Sequence, residues 1–330
     1  MRHLFRIAHG STVVQENVLV ELRDHDLAGY GEGASLPYYG VTAANMVEDL
    51  EAARGQIEAW PLGDPAELWQ RSLPLLGHNR FALAALDAAV HDLWGKKLRQ
   101  PTYRVWGLEL DRLPQSDYTF GIDTIENTLA ILKEFEGWPI YKIKLGTPDD
   151  LKIVRELRQH TSAIFRVDAN CAWTVEETIR NSRELKSLGV ELIEQPLKAD
   201  DWDGMKRVFA ESVLPVMADE SCLVEEDVAR CRGYFHGINI KLVKCGGMTP
   251  ARRMIAAARQ LGLKVMIGCM NESTVGISAI AQFLPLLDFV DMDGAVLIAR
   301  DVATGVYLDK GKAVFPAENG NGVRLLAEIA

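Results

Sequence analysis

From about residue 113 onward, short β-rich runs recur with an even spacing. They end near Phe120, Leu145, Asp168, Glu194, Ala218, Lys241, Gly268 and Asp293, at intervals of 23 to 27 residues. Each interval holds one strand, one helix and two short connections. Eight such steps in a row restrict the chain to few architectures, and the closed (β/α) barrel is the one that uses all eight. An open doubly wound sheet usually has fewer strands, and no Gly-x-Gly-x-x-Gly opens a helix after the first strand.

The segment before residue 113 has a different rhythm and reads as β, β, then helices. Asn17 to Leu22 alternates polar and apolar, as a half-buried strand does. A glycine-rich run, Gly29-Tyr30-Gly31-Glu32-Gly33, follows a turn. Thr42 is a plausible N-cap for a helix running towards Trp60. Gly63, Asp64 and Pro65 break the chain. The longest helical pattern is Arg80 to Lys97, and Pro101 stops any continuation. From about Thr304 a tail of glycines and short apolar runs is expected to return to the N-terminal segment. The expected division is 1–112, 113–303 and 304–330.

Composition excludes several function classes. The 330 residues are 48% hydrophobic and 25% charged, with a formal net charge of −10, so a nucleic-acid partner is not expected. No stretch approaches the roughly 20 apolar residues of a membrane helix. The start of the chain does not read as a signal peptide. Five cysteines without metal-finger spacing suit a reducing compartment, and a cytoplasmic protein is expected. Seven scattered histidines make a zinc hydrolase a poor reading.

Charged residues fall at the ends of six of the eight runs. Lys142 and Lys144 share one face of strand two, because strand side chains alternate. Asp168, Glu194 and Asp219 end strands three, four and five, and Lys241 ends strand six. Asp291 and Asp293 flank Met292 on strand eight. One charge just past a strand is ordinary. Six at the same level are not, since Asp, Glu and Lys are rarely buried without partners. The C-terminal strand ends of a barrel build its active site.

The ring of strands suggests roles. Asp168, Glu194 and Asp219 lie on neighbouring strands and can converge on one hard cation, Mg²⁺ in preference to Mn²⁺. Strands two and six stand opposite each other, so Lys144 and Lys241 face across the cation. That layout can take a proton from one face of a carbon and return it to the other, while the cation stabilises an enediolate. A lysine base needs its pKa lowered from about 10.4, and Lys142 and the cation are placed to do this. Lys142 is also a candidate to bind the substrate carboxylate. Asp291 and Asp293, across from strand four, suit an ammonium. A dipeptide, spanning about 6–7 Å at about 3.3–3.6 Å per residue, has both groups.

These residues resemble the enolase superfamily in its muconate-lactonizing subgroup, over nearly the whole chain. The matching pieces are Tyr141-Lys142-Ile143-Lys144, Val167-Asp168-Ala169-Asn170, Ile193-Glu194-Gln195-Pro196, Ala218-Asp219-Glu220-Ser221 and Asn239-Ile240-Lys241. The superfamily's lysine base and magnesium-stabilised enediolate are established chemistry. The resemblance implies a modified (β/α)7β barrel with an α+β capping domain formed by the N-terminal segment and the C-terminal tail. Asp291-Met292-Asp293 and Cys269-Met270-Asn271-Glu272 resemble dipeptide epimerases, which implies inversion at the α-carbon of the C-terminal residue. Glu220 and Asn170 are implied to orient metal ligands. Asp87 and Asp92, on the last cap helix, read as structural.

One departure concerns substrate. Ala-Glu epimerases place a cation in the early capping loop, whereas Gly10 to Gln15 has no Arg or Lys. Val13, Val14, Tyr38 and Tyr39 suggest an uncharged pocket instead. An N-acylamino acid racemase or o-succinylbenzoate synthase shares the lysines and metal but has no need for two strand-eight carboxylates. A mandelate-racemase-like enzyme needs a histidine after strand seven, where this chain has Gly268-Cys269-Met270. A metal-stabilised binding barrel leaves two opposed lysines without a purpose. A homo-oligomer is compatible with all of these readings.

Overall fold

The computed structural model describes residues 1–8 and 10–327. His9 and the last three residues of the expected tail lie outside the described residues.

Eight strands form one parallel sheet in sequence order: Tyr118–Phe120, Ile140–Lys144, Ile164–Asp168, Val190–Glu194, Val216–Ala218, Gly237–Ile240, Lys264–Gly268 and Phe289–Asp291. The first and last approach through a parallel bridge between Ser116 and Val290. Met292 N donates to Ser116 Oγ at 2.9 Å across the same seam. The result is a nearly closed barrel, with helices after each of the first seven strands.

The two-residue period of a strand decides what each side chain does. Tyr141, Ile143 and Leu145 point outward into the large core shared with the helices. Lys142 and Lys144 point into the barrel. Deeper in the lumen, Leu192, Met217 and Met266 pack together. Arg166, buried with them, is matched by Asp117 and Glu191, each at 2.9 Å. The upper lumen is therefore polar over a floor whose buried arginine is paired, with Asp117 Oδ1 left without a hydrogen-bond partner.

The cap begins with a short hairpin, Phe5–Ile7 with Gly10–Thr12, then a longer one, Asn17–Asp24 with Leu27–Ala34. The tight turn of the second carries His25 at φ +54°. Helices follow over Ala43–Glu58, Pro65–Leu76 and Arg80–Lys97. The first is closed by the expected Thr42, in a reciprocal capping box with Asn45. The glycine run lies flat on the third helix, and a Cβ at Gly31 would sit 2.0 Å from Ala85 O.

The two buried acids of that third helix act as structural anchors. Asp87 accepts Thr249 N and Oγ1, both at 2.8 Å. Asp92 accepts Lys96 Nζ at 2.7 Å, Tyr30 N at 2.9 Å and Asn321 N at 2.7 Å. The tail thus meets the cap helix, and Gly320 O also accepts Thr102 N at 2.8 Å. No described helix is long and apolar enough to cross a membrane. All five cysteines are free thiols.

Candidate active site

A cleft opens where the cap meets the C-terminal ends of the strands. It holds about 880 Å³ of empty space when the open solvent at its mouth is included. Lys144, Lys241, Asp219, Asp291 and Asp293 line it. Phe5, Ile7, Leu36, Tyr38, Tyr39 and Leu297 form apolar and aromatic walls. Among the described residues, the cap brings no charged side chain to this lining.

Lys144, at the end of strand two, donates to Asp168 Oδ2 at 2.6 Å. Lys241 is the first residue past strand six, its ammonium 3.5 Å from Asp219 Oδ2 and 3.3 Å from Cys269 O. The two lysines therefore enter one cleft from opposite strands. Asp168 and Glu194 are cross-strand neighbours, and Asp219 follows directly on strand five.

Lys142 is not in the lining. It is 1% exposed and donates to Glu194 Oε2 at 2.8 Å and Asp291 Oδ2 at 2.6 Å, with Asp168 Oδ2 at 3.3 Å. Its ammonium ties carboxylates together beneath the cleft floor. Burial works against its charge, but Asp291, Glu194 and Asp168 outweigh burial and hold its pKa well above the usual lysine value.

Strand eight also differs from expectation. It ends at Asp291, and Asp293 begins the following short helix. The chain leaves the strand there because Asp293 Oδ2 accepts Thr119 N from strand one at 2.6 Å. Both carboxylates still reach the cleft. They differ in charge state: burial opposes ionisation of Asp291, but Lys142 overrides it and keeps the carboxyl well below its usual range. Burial and the neighbouring Asp291 push Asp293 up to about 7.

The sequence reading missed Lys244, 6% exposed, whose Nζ donates to Asp219 Oδ1 at 2.6 Å and lies 5.0 Å from the centre of the Tyr39 ring. A lysine three residues after Lys241 returns to the same side over one helical turn. Asn239, named only within a motif and given no role, donates to Glu194 Oε1 at 2.7 Å. Gln195 was noted only within a motif. Its Oε1 accepts Asp219 N at 3.0 Å and Ser221 N at 3.1 Å, fixing the loop that carries Asp219. Asn170, Cys171 and Gln195 hold positive φ at these strand ends, a strain that clusters at functional sites.

The expected fall in lysine pKa is not present at Lys241. Burial would lower it, but Asp219 lies close enough to raise it above the usual value. This follows from an excess of acid. Six carboxylates (Asp168, Glu194, Asp219, Glu220, Asp291 and Asp293) share the upper lumen with four ammoniums (Lys142, Lys144, Lys241 and Lys244). Fully ionised, the set carries a net charge of −2, two positive charges short of neutral. Burial and Asp219 accordingly push Glu220 up to about 7.

A divalent cation fits this deficit, and the donors are all oxygen, as Mg²⁺ prefers. Buried Glu220 Oε2 and Asn170 Oδ1 have no hydrogen-bond partner. The trio itself is spread: among the described residues, the donor group gathered within 4.8 Å is Cys269, Asp291 and Asp293. The ammoniums of Lys142, Lys144 and Lys244 take up the near oxygens of the trio instead.

Residues 1–107 match the family model for the mandelate racemase / muconate lactonizing enzyme N-terminal domain, and 127–329 match the enolase C-terminal domain-like model. The chain is 53% identical over 326 residues to an L-Ala-D/L-amino acid epimerase of Flavobacterium johnsoniae, covering 99% of this chain and 97% of that one. Its fold is similar to a dipeptide epimerase from Enterococcus faecalis V583 solved with Mg and L-Leu-L-Tyr, with a TM-score of 0.92 and 30% identity over 98% and 95% of the two chains. It is also similar to the L-Ala-D/L-Glu epimerase of Bacillus subtilis, with a TM-score of 0.91 and 27% identity over 97% and 94%.

Proposed function

The chain belongs to the enolase superfamily, in its dipeptide epimerase group, and from that premise we propose that it inverts the α-carbon of the C-terminal residue of a dipeptide by two-lysine proton transfer. The observation that carries the reading is the entry of Lys144 and Lys241 into one cleft from opposite strands, with Asp219, Asp291 and Asp293 in the same lining.

The residues divide the work as follows. One lysine, as the neutral amine, takes the α-proton, and the C–H electron pair moves into the carboxylate to give an enediolate. The opposite lysine, as the ammonium, returns a proton to the other face. Asp168, Glu194 and Asp219 would hold one Mg²⁺, the cofactor of the related enzymes, with Mn²⁺ as a substitute. When bound, that ion supplies Lewis-acid stabilisation of the charge developing on the substrate carboxylate. Asp293 takes the α-ammonium, and Asp291 shares its charge between that group and Lys142. Residues 1–112 and 304–330 would cover the barrel of 113–303. The uncharged cap wall suits an uncharged side chain on the C-terminal residue.

One observation favours a second reading. Asp291 is already matched by Lys142, which leaves a single free carboxylate for an ammonium. An N-acylamino acid racemase needs none.

The test of the two-base assignment is α-proton exchange with D₂O, followed by NMR on each pure epimer. Lys144→Ala and Lys241→Ala should both lose epimerisation, yet each should still exchange one epimer, and not the same one. Exchange of the same epimer by both variants would end the assignment.

A further inference from the structure

The glycine-rich cap run carries one charged residue, Glu32, to which the mechanism gives no task. Glu32 is 4% exposed, and its carboxylate crosses from the cap to the barrel. Oε1 accepts Ser273 N at 3.0 Å; Oε2 accepts the Ser273 hydroxyl at 2.6 Å and Gly276 N at 2.9 Å. These donors open the helix Thr274–Ala281 that follows strand seven. Asn17 Nδ2 extends the grip, donating to Glu32 Oε1 at 2.6 Å and to Asn271 O at 2.9 Å. Within the loop, Glu272 Oε1 accepts Met270 N at 2.8 Å.

The segment held in this way, 269–273, leads to the chemistry. Cys269, Met270 and Asn271 line the cleft. Cys269 O accepts from Lys241 Nζ at 3.3 Å, nearer than the 3.5 Å to Asp219 Oδ2. Lys144 is aimed differently, by Asp168 on the adjacent strand at 2.6 Å. A lysine stem has four rotatable bonds, so the carbonyl that receives its ammonium fixes where the nitrogen points. Lys144 is thus oriented by the barrel alone; Lys241 is oriented through Cys269, whose N–H the barrel holds at Asp291 O, 2.7 Å, and whose following loop the cap holds.

We propose that Glu32 is a positioning residue for one half of the reaction: from the cap it fixes loop 269–273 and through Cys269 O it aims Lys241, leaving Lys144 untouched. This rests on the two-lysine reading above. Glu32→Gln replaces one accepting oxygen with a donor and breaks bonds at Ser273 or Gly276, without changing the size of the side chain.

The experiment places Glu32→Gln in each single-lysine background and measures α-proton exchange in D₂O. With Lys144→Ala, where only Lys241 acts, exchange should fall by about tenfold or more, the scale of a small misplacement of a reacting group. With Lys241→Ala, exchange through Lys144 should be unchanged. Ser273→Ala, which removes only the hydroxyl donor, should give the same one-sided loss to a smaller degree, and it serves if Glu32→Gln does not fold. Equal losses in both backgrounds mean a merely structural role and overturn the proposal, as does no loss in either. If the parent lysine variants exchange the same epimer, the two-base reading fails first, and the proposal falls with it.

Discussion

Lys244 donates to Asp219 Oδ1 at 2.6 Å, closer than Lys241 stands to the same carboxylate. Both partners are buried, and removing Lys244 leaves Asp219 with only the more distant Lys241 at 3.5 Å, at a cost of up to about 3–5 kcal/mol. Lys244→Met should therefore lower the melting temperature of the metal-free protein. Mg²⁺ should then raise it by more than it raises the wild type, because the cation no longer competes with Lys244 for Asp219. Thermal unfolding with and without Mg²⁺ measures both. An equal Mg²⁺ shift in the two proteins would remove Lys244 from the metal-ligand network.

Chelation should abolish turnover and Mg²⁺ should restore it, since six carboxylates against four ammoniums leave room for a divalent charge. Asp219→Asn should reduce kcat by about 10²–10³-fold, the scale of losing an electrostatic stabiliser. Full activity in rigorously metal-free enzyme would contradict the assignment of Asp168, Glu194 and Asp219.

Asp293 gives a pH dependence with a definite sign. Its carboxyl is pushed up to about 7, so it is charged above that pH and neutral below. The dipeptide ammonium, with a usual pKa of about 7.7–8.0, is mostly protonated at pH 7 and becomes more so as pH falls. Lys142 is matched by Asp291 and Glu194 and does not change charge in this window. Hence kcat/KM for a free dipeptide should fall as pH drops through about 7. An N-succinyl amino acid, without the ammonium, should not show that limb. Asp293→Asn should remove it and should damage dipeptide turnover far more than N-succinyl turnover. Equal damage to both substrates would favour the N-acylamino acid racemase reading.

The cap wall sets the fourth expectation. Phe5, Ile7 and Leu297 bring no charge to the cleft, so L-Ala-L-Leu should be epimerised with kcat/KM at least about tenfold above L-Ala-L-Glu, the value of one or two buried methylenes against a buried unpaired charge. A preference for L-Ala-L-Glu would show that the glutamate carboxylate finds a cation other than in the cap's part of the lining.

What the sequence made legible followed from periodicity. The 23- to 27-residue spacing fixed the barrel, and strand alternation put Lys142 and Lys144 on one face. The long cap helix, Arg80–Lys97, was readable because its run is rich in alanine and leucine and Pro101 stops any continuation. The partners of Lys142 were not readable. Asp291, which it meets at 2.6 Å, lies 149 residues away, and no local pattern reports a contact across a barrel. Lys244 sits on a four-residue helix, too short to show a period. Glu32 was legible only as one residue of a glycine-rich run after a turn, because glycines that mark a close approach to a helix have the same composition as a loop.

The two-charge deficit of the upper lumen also bears on how substrate arrives. Once a divalent ion has neutralised it, the site has no net charge, and neither does a zwitterionic dipeptide with uncharged side chains. Long-range attraction between the two is then slight, and encounter depends on diffusion and on fit at the mouth. Capture of such a substrate should be nearly insensitive to ionic strength, whereas an N-succinyl amino acid, a dianion repelled by the chain's net charge of −10, should respond to added salt.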